Sequence, residues 1–234
     1  MVPLLKAMIL AAGRGSRLNE ITYKTPKPLV KVNGKPLLEY HLDSLERAGF
    51  EEVVINVSWL GEQIRHYIDD SYQGRLQITL YHEEQALETG GGVFAALQDL
   101  SENNQPFLVI NSDVMSNFDF SQVPHQIQGL AHMYLVDNPI EHPDGDFCLD
   151  PKRGVLLKPA RALDTPIQTL TFSGISVLTP DLFKQCTAKK FSLAELFKKY
   201  IPLGLITAEH FEHQWFDVGN IERLKLAERW QRSQ

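Results

Sequence analysis

Short apolar runs alternate with amphipathic segments through the first half of the chain. Four runs have the length of buried strands: residues 7–11, 53–57, 78–81 and 107–111. Between the first two runs, Leu38, Leu42 and Leu45 recur at helical spacing, and Ile64 and Ile68 do so after the second. Strands that alternate with helices predict an α/β fold with a doubly wound, mostly parallel sheet.

The pattern becomes looser after residue 113. Strand-like runs occur at residues 131–136 and 171–178. Ser192 and Glu195 have the spacing of a capping box, which predicts a helix start, and a last helix is expected from about residue 221 to 230. We expect a single domain over residues 1–234, with a first part at about 1–115 and a second part at about 116–234.

Composition and charge narrow the classes of function. The chain has 234 residues and a net charge of −6, which argues against a nucleic-acid partner. Its two cysteines form no CxxC pair, and no apolar stretch approaches 18 residues, so we expect a cytoplasmic protein without a membrane partner. Positions 6–35 nevertheless hold seven basic residues and one acidic residue. Such a segment indicates a small anionic ligand, or else a solvated surface patch.

A glycine loop follows the first predicted strand, in the segment LAAGRGSRL of residues 10–18. Gly13 and Gly15 allow backbone N–H groups to close on an anion, and Arg17 adds positive charge. Lys27 stands between two prolines that fix the backbone on either side of it. The loop lacks the G-K-[ST] ending of a P-loop and the spacing of a dinucleotide fingerprint. We therefore interpret it as a site for a nucleoside triphosphate.

Two aspartates are candidates for a metal site. Asp113 comes directly after the predicted strand at 107–111, at the sheet edge where ligands bind in α/β proteins. Asp217 lies between apolar residues just before the last predicted helix. Mg²⁺ prefers carboxylates together with substrate phosphates and water, so the pair is suited to it. Turn formation by Asp113 and helix capping by Asp217 are the structural alternatives.

Glycines 90–92 precede a helix expected at residues 93–100. Three glycines at a helix start are costly in conformational entropy, which indicates that another group approaches the backbone closely there. A planar base or a sugar is suited to that position, and a flexible turn is the alternative.

The chain resembles the sugar-1-phosphate nucleotidyltransferases over nearly its whole length. The segments LAAGRGSRL (10–18), TPKPL (25–29), LETGGG (87–92) and WFDVG (215–219) carry the resemblance. It implies a Rossmann-like sheet with a smaller sugar-binding lobe inserted in the second half. The part at about 1–115 would bind the nucleotide, and the part at about 116–234 would bind the sugar and the metal. It also implies transfer of a nucleotide from UTP to a sugar 1-phosphate, with Mg²⁺ as cofactor. Glucose 1-phosphate, mannose 1-phosphate and phosphocholine remain open as alternative acceptors, as does a non-catalytic nucleotide-sugar sensor. The resemblance leaves the oligomeric state open.

The resemblance also implies roles for matching positions. Arg17 and Lys27 would be catalytic, and Asp113 and Asp217 would bind the metal. The nucleotide would contact Ala11, Ala12, Gly13, Gly15, Ser16, Arg17, Lys27, Glu83, Glu88 and Gly90. The sugar phosphate would contact Asn111, Asp146, Gly174 and Lys158.

Glu83 stands where many members of that family carry a glutamine that contacts the base. A carboxylate only accepts hydrogen bonds, so it favours a base with a ring N–H, such as uracil, thymine or guanine, over cytosine. This is the basis for expecting UTP, with dTTP as the nearest competitor.

Overall fold

The computed structural model describes residues 6–18, 21–152, 154–157 and 168–234. Over these residues the strands are β1 (Ala7–Leu10), β2 (Lys31–Val32), β3 (Lys35–Pro36), β4 (Glu52–Val57), β5 (Gln77–His82), β6 (Phe107–Asn111), β7 (Val114–Ser116), β8 (Ala131–Val136), β9 (Phe147–Asp150), β10 (Gly154–Leu157), β11 (Gln168–Leu178), β12 (Ile206–His210) and β13 (Trp215–Asp217). The helices are α1 (Leu37–Arg47), α2 (Gly61–Asp70), α3 (Glu88–Ala95), α4 (Leu97–Leu100), α5 (Leu193–Tyr200) and α6 (Ile221–Arg232).

The four strands predicted in the first half form the parallel part of the sheet, in the order β5-β4-β1-β6. From β1 the chain moves outward to β4 and β5, and then returns to place β6 on the other side of β1. This reversal creates a topological switch point at the carboxyl ends of β1 and β6, where α/β sheets bind ligands. The prediction of a doubly wound α/β fold is confirmed.

The second half extends the same sheet with strands of mixed direction. β11 runs antiparallel to β6, β8 and β9, and β12 pairs in parallel with the far side of β8. β7 and β13 form a separate two-stranded sheet next to the switch point. Residues 104 positions apart in the chain, Asp113 and Asp217, are thereby brought to one place.

Two apolar clusters cover the two faces of the sheet. Met8 and Leu10 belong to one cluster, whereas Ala7 and Ile9 belong to the other. Because β1 is buried on both faces, its sequence is a continuous apolar run instead of an alternating one. A third, smaller cluster joins the glycine loop to α6 through contacts that include Leu18, Val218 and Leu224. The central strands therefore provide a rigid base for the loops at their ends.

Helix boundaries agree with the sequence except at the glycines. The Ser192–Glu195 capping box is present at the start of α5, and α6 begins at Ile221 as expected. The start predicted for the helix at 93–100 is wrong, because α3 begins at Glu88 and contains the three glycines, and the helix is divided into α3 and a separate α4. None of the helices in the described part of the chain has the length and apolar character that a membrane span requires.

Candidate active site

A cleft of about 370 Å³ opens at the switch point between β1 and β6. Its lining comes from the glycine loop, the ends of β4 and β6, and the segment before and within α3. The lining residues are Leu10, Ala12, Gly13, Gly15, Ser16, Arg17, Lys27, Asn56, Ala86, Glu88, Thr89, Asn111, Ser112, Asp113 and Lys190. Nine residues predicted from the sequence are thus brought together around one cavity: Ala12, Gly13, Gly15, Ser16, Arg17, Lys27, Glu88, Asn111 and Asp113.

The glycine loop turns sharply as it leaves β1. Gly15 has φ +64°, and a Cβ there would lie 3.0 Å from the Thr22 side chain and 3.1 Å from Lys27 Cβ. A larger residue would therefore be strained and crowded at this position. The carbonyl of Gly15 accepts hydrogen bonds from the Leu18 N–H and from the Thr22 hydroxyl. These contacts hold the loop in a compact turn with Arg17, whose side chain is 71 % exposed, at its rim.

Lys27 lies at the floor of the cleft. The residue is 8 % exposed, and its Nζ lies 2.5 Å from Asp113 Oδ2. A short helical turn, Lys27–Leu29, begins directly after Pro26 and fixes the lysine backbone. A charge this deeply buried requires a partner, and Asp113 supplies it. The pair therefore presents an ammonium group and a carboxylate side by side to a bound ligand.

Asp217 joins Asp113 through backbone pairing. In the small sheet Asp217 pairs with Val114, and the N–H of Val218 donates to the carbonyl of Asp113 at 2.8 Å. Arg223, on the first turn of α6, donates from Nη1 to Asp217 Oδ2 at 2.9 Å, and Arg17 Nη1 lies 4.0 Å from the same oxygen. Burial and the negative charge of Asp113 raise the pKa of Asp217, although nearby cations partly offset the shift.

The surroundings of Asp217 are suited to a cation ligand. Asp217 Oδ1 is buried and has no hydrogen-bond partner among the described residues. A Cβ at Gly219 would lie 2.8 Å from that oxygen, so glycine leaves space beside it. No cluster of three or more histidine, cysteine, aspartate or glutamate side chains suited to a metal occurs within the described ranges. A cation held here would need substrate oxygens or water as additional ligands, which is typical of Mg²⁺.

Asn111 lines the cleft at the end of β6, and Gly174 of β11 packs against its side chain. Gly174 has φ +81° in an irregular stretch of β11, and a Cβ there would lie 2.7 Å from Asn111 Nδ2. The Trp215 indole N–H donates to the carbonyl of Ser173 at 2.8 Å and so holds this stretch in place. Gly174 therefore supports Asn111 from behind.

The other predicted sugar contacts are Asp146 and Lys158. Asp146 does not line the cleft. Its Oδ2 accepts from the Phe172 N–H at 2.9 Å, and its Oδ1 lies 3.1 Å from His142 Nε2. Lys158 lies outside the described residues.

Three predicted nucleotide contacts are not in the cleft. Ala11 uses its N–H to bind Asn56 Oδ1, and Gly90 packs against Phe191, whose ring would lie 2.5 Å from a Cβ. Glu83 is 3 % exposed, and both its oxygens accept hydrogen bonds from the protein itself. The structure therefore corrects the expectation that Glu83 faces the base and that a ligand approaches the glycines. The close approach at glycines 90–92 comes from the protein's own side chains and backbone.

Two residues of this region escaped the sequence analysis. Arg223 bridges Asp217 and Glu141, with 2.9 Å to each carboxylate. Its position in the first turn of the last helix gave no signal, because its partners are distant in the chain. Asn56, the residue before the last in β4, has a polar side chain that is 2 % exposed, and a polar residue within such an apolar strand was the available signal.

Comparison with known proteins identifies relatives of the whole chain. A model of the family described as nucleotidyl transferase matches residues 6–141. An N-acetylmuramate alpha-1-phosphate uridylyltransferase of Neisseria meningitidis is 41 % identical, over 96 % of this chain and 97 % of that protein. A mannose-1-phosphate guanylyltransferase catalytic subunit beta of Xenopus tropicalis is 27 % identical over 92 % of this chain, which spans 61 % of that protein.

A solved structure has the same fold. HddC from Yersinia pseudotuberculosis, complexed with GMP-PN, superposes with a TM-score of 0.77 at 23 % identity. The match covers 97 % of this chain and all of that one.

Proposed function

We propose that this chain, which belongs to the nucleotidyl transferase family, joins UTP and N-acetylmuramate 1-phosphate to give UDP-N-acetylmuramate and pyrophosphate. The observation that carries the reaction class is the buried Lys27–Asp113 pair beneath a glycine loop, with Asp217 beside it. The 41 % identity to the Neisseria enzyme over nearly the full length of both chains supports this sugar and this nucleotide.

The glycine loop binds the triphosphate in this proposal. Backbone N–H groups at Gly13, Gly15 and Ser16 face the phosphates, and Arg17 at the rim neutralises the β- and γ-phosphates. Lys27 donates to the α-phosphate from the cleft floor. Glu88 lines the opposite wall of the cleft, which in this proposal is the wall nearest the base of the nucleotide.

Asp113 and Asp217 would hold Mg²⁺, whose positive charge would neutralise the nucleotide and sugar phosphates. The free Oδ1 of Asp217 and the narrow space beside Gly219 support this assignment. Arg223 keeps Asp217 in a fixed orientation by occupying its other oxygen, as hydrogen-bonded partners of metal ligands commonly do.

The reaction needs no general base. The attacking oxygen belongs to the sugar 1-phosphate and is already anionic, so it attacks the α-phosphorus directly, in line with the departing pyrophosphate. One P–O bond forms as another breaks, and the electron pair leaves with pyrophosphate. Lys27 and Arg17 stabilise the negative charge that spreads over the transferring and leaving groups.

Asn111, supported by Gly174, is the sugar-phosphate contact that the cleft geometry favours. Asp146 and Lys158 remain predicted sugar contacts. Activation of N-acetylmuramate in this way would serve peptidoglycan recycling. We assign the reaction to the cytoplasm, consistent with a chain that has two cysteines and no CxxC pair.

Other sugar phosphates are the alternative, since the Xenopus tropicalis relative is named for mannose 1-phosphate and GTP chemistry. The test is kcat/KM for pyrophosphate release over a grid of nucleotides (UTP, dTTP, GTP, CTP) and acceptors (the 1-phosphates of N-acetylmuramate, glucose and mannose). We expect UTP with N-acetylmuramate 1-phosphate to give the highest value. A higher value for GTP with mannose 1-phosphate would replace the proposed substrates with that pair.

A further inference from the structure

A buried chain of hydrogen bonds runs beneath the cleft and connects two of its walls. The Ala11 N–H donates to Asn56 Oδ1 at 2.8 Å, and Asn56 Nδ2 donates to Glu83 Oε1 at 2.7 Å. Glu83 Oε2 then accepts from the Leu87 N–H at 2.8 Å. Asn56 is 2 % and Glu83 is 3 % exposed, so water does not compete for these groups.

The two ends of this chain of hydrogen bonds lie where two walls of the cleft begin. Ala11 is the first residue after β1, where the glycine loop begins. Leu87 immediately precedes Glu88, a cleft residue that is held at φ +62° although it is not a glycine. A positive φ is unfavourable for a residue with a side chain and persists only where its surroundings enforce it. The Leu87 N–H bond to Glu83 provides one such constraint.

We propose that Asn56 and Glu83 act together as positioning residues that hold the glycine loop and the 83–88 segment at the separation a nucleotide requires. This inference requires only that the chain binds a nucleotide, and it rests on the proposed function only for the expectation that UTP is the nucleotide bound most tightly. Glu83 acts through Asn56 and Leu87 in this role, and it does not contact the base.

The order of donors and acceptors along these hydrogen bonds explains why one amide and one carboxylate are needed. Each end is a backbone donor, so both side chains must accept at their outer oxygens, and one must donate to the other between them. An amide paired with a carboxylate meets this condition in either order. Two carboxylates lack the donor and repel each other, and two amides leave donors facing each other.

Gly92 supports this arrangement from α3. A Cβ at Gly92 would lie 2.6 Å from both Asn56 Nδ2 and Glu83 Oε1. The absence of a side chain there lets the helix pack directly over the link between the two residues. This accounts for one of the three glycines that the sequence alone assigned to a ligand.

An exchange of the two groups provides the test. Asn56→Asp and Glu83→Gln each break the link, whereas the double variant restores it with reversed direction. In the double variant the new amide nitrogen at position 83 donates to the new carboxylate at position 56, and the amide oxygen at position 83 accepts from the Leu87 N–H. Glu84→Gln, at the adjacent exposed position, removes one charge without touching the link and serves as the control. Binding of UTP, dTTP, GTP and CTP is measured by calorimetry without any sugar, and the variants are compared with the nucleotide that the wild type binds most tightly.

We expect each single variant to weaken nucleotide binding about 10-fold or more, since each leaves a buried polar group unsatisfied. The double variant should return to within about threefold of the wild type, and hydrogen exchange of the Ala11 and Leu87 amides without ligand should be fast in the single variants and slow again in the double. A folded double variant whose loss of nucleotide affinity equals the product of the two single losses would overturn the proposal. A base preference that changes in Glu83→Gln and stays changed when Asn56→Asp is added would also overturn it.

The outcomes also separate this inference from the proposed function. Tight binding of a nucleotide other than UTP contradicts the choice of UTP and still lets the exchange be scored. A wild-type chain that binds none of the four nucleotides would contradict the inference as well as the function.

Discussion

We expect His41 to contribute to the pH dependence of stability. It lies on α1 next to residues 112–114, is 6 % exposed, and has no hydrogen-bond partner for Nε2 in the described part of the chain. Burial lowers its pKa from the ordinary value of 6.5 to about 4. The carbonyls of Ser112 and Val114 and the charge of Asp113 oppose that shift and only partly offset it.

The direction and size of the effect follow from this pKa. Between pH 6.5 and pH 4 the unfolded chain binds a proton at His41 and the folded chain does not, so stability falls as the pH is lowered through this interval. The full loss is about 3 kcal/mol, and about 2 kcal/mol of it is reached at pH 5. Below pH 4 this group contributes no further change.

Urea unfolding at pH 7.5 and pH 5.0 measures the effect. The quantity of interest is the drop in the free energy of unfolding between the two pH values, which cancels any constant cost of a substitution. We expect the drop in His41→Asn to be about 2 kcal/mol smaller than in the wild type. His66→Asn, which removes an exposed histidine from α2, should retain the wild-type drop. Equal drops in the wild type and His41→Asn would refute the reasoning.

The remaining predictions concern the site. Lys27→Met should lower kcat by about 10²–10³-fold in single-turnover assays with the fold intact by circular dichroism, because the charge on the transferring group loses its buried partner; a loss below threefold would contradict its catalytic role. Arg223→Met should lower activity at fixed Mg²⁺ about 10–100-fold, as measured by a Mg²⁺ titration, because Asp217 loses the group that orients it; an unchanged titration curve would argue against this. Gly90→Ala should destabilise the fold by about 1–3 kcal/mol in urea unfolding, because the new Cβ would lie 2.5 Å from the Phe191 ring, and an unchanged midpoint would disagree with the packing described.

Local patterns predicted the strands that form the centre of the sheet. The bounds expected for 107–111 and 131–136 agree with β6 and β8 residue for residue, because both are short apolar runs buried in the sheet. The capping box at Ser192 was predictable for the same reason, since all its hydrogen bonds lie within four residues.

Features that depend on distant contacts were not predictable in this way. Glycines 90–92 are poor helix formers by themselves. In the fold, the N–H groups of Gly90 and Gly91 donate to the carbonyl of Phe191, and Gly92 packs against the Asn56–Glu83 link. The position of Glu83 in the chain does not indicate whether its carboxylate points toward the cleft or away from it. That direction is determined by Asn56, which is 27 residues away.

The most direct test of the account is the product formed from UTP and N-acetylmuramate 1-phosphate with Mg²⁺, identified by mass spectrometry and compared with Asp113→Asn. The account predicts UDP-N-acetylmuramate and an equal amount of pyrophosphate from the wild type, and about 10²–10³-fold less from the variant. Absence of product from the wild type, or equal product from both proteins, would contradict it.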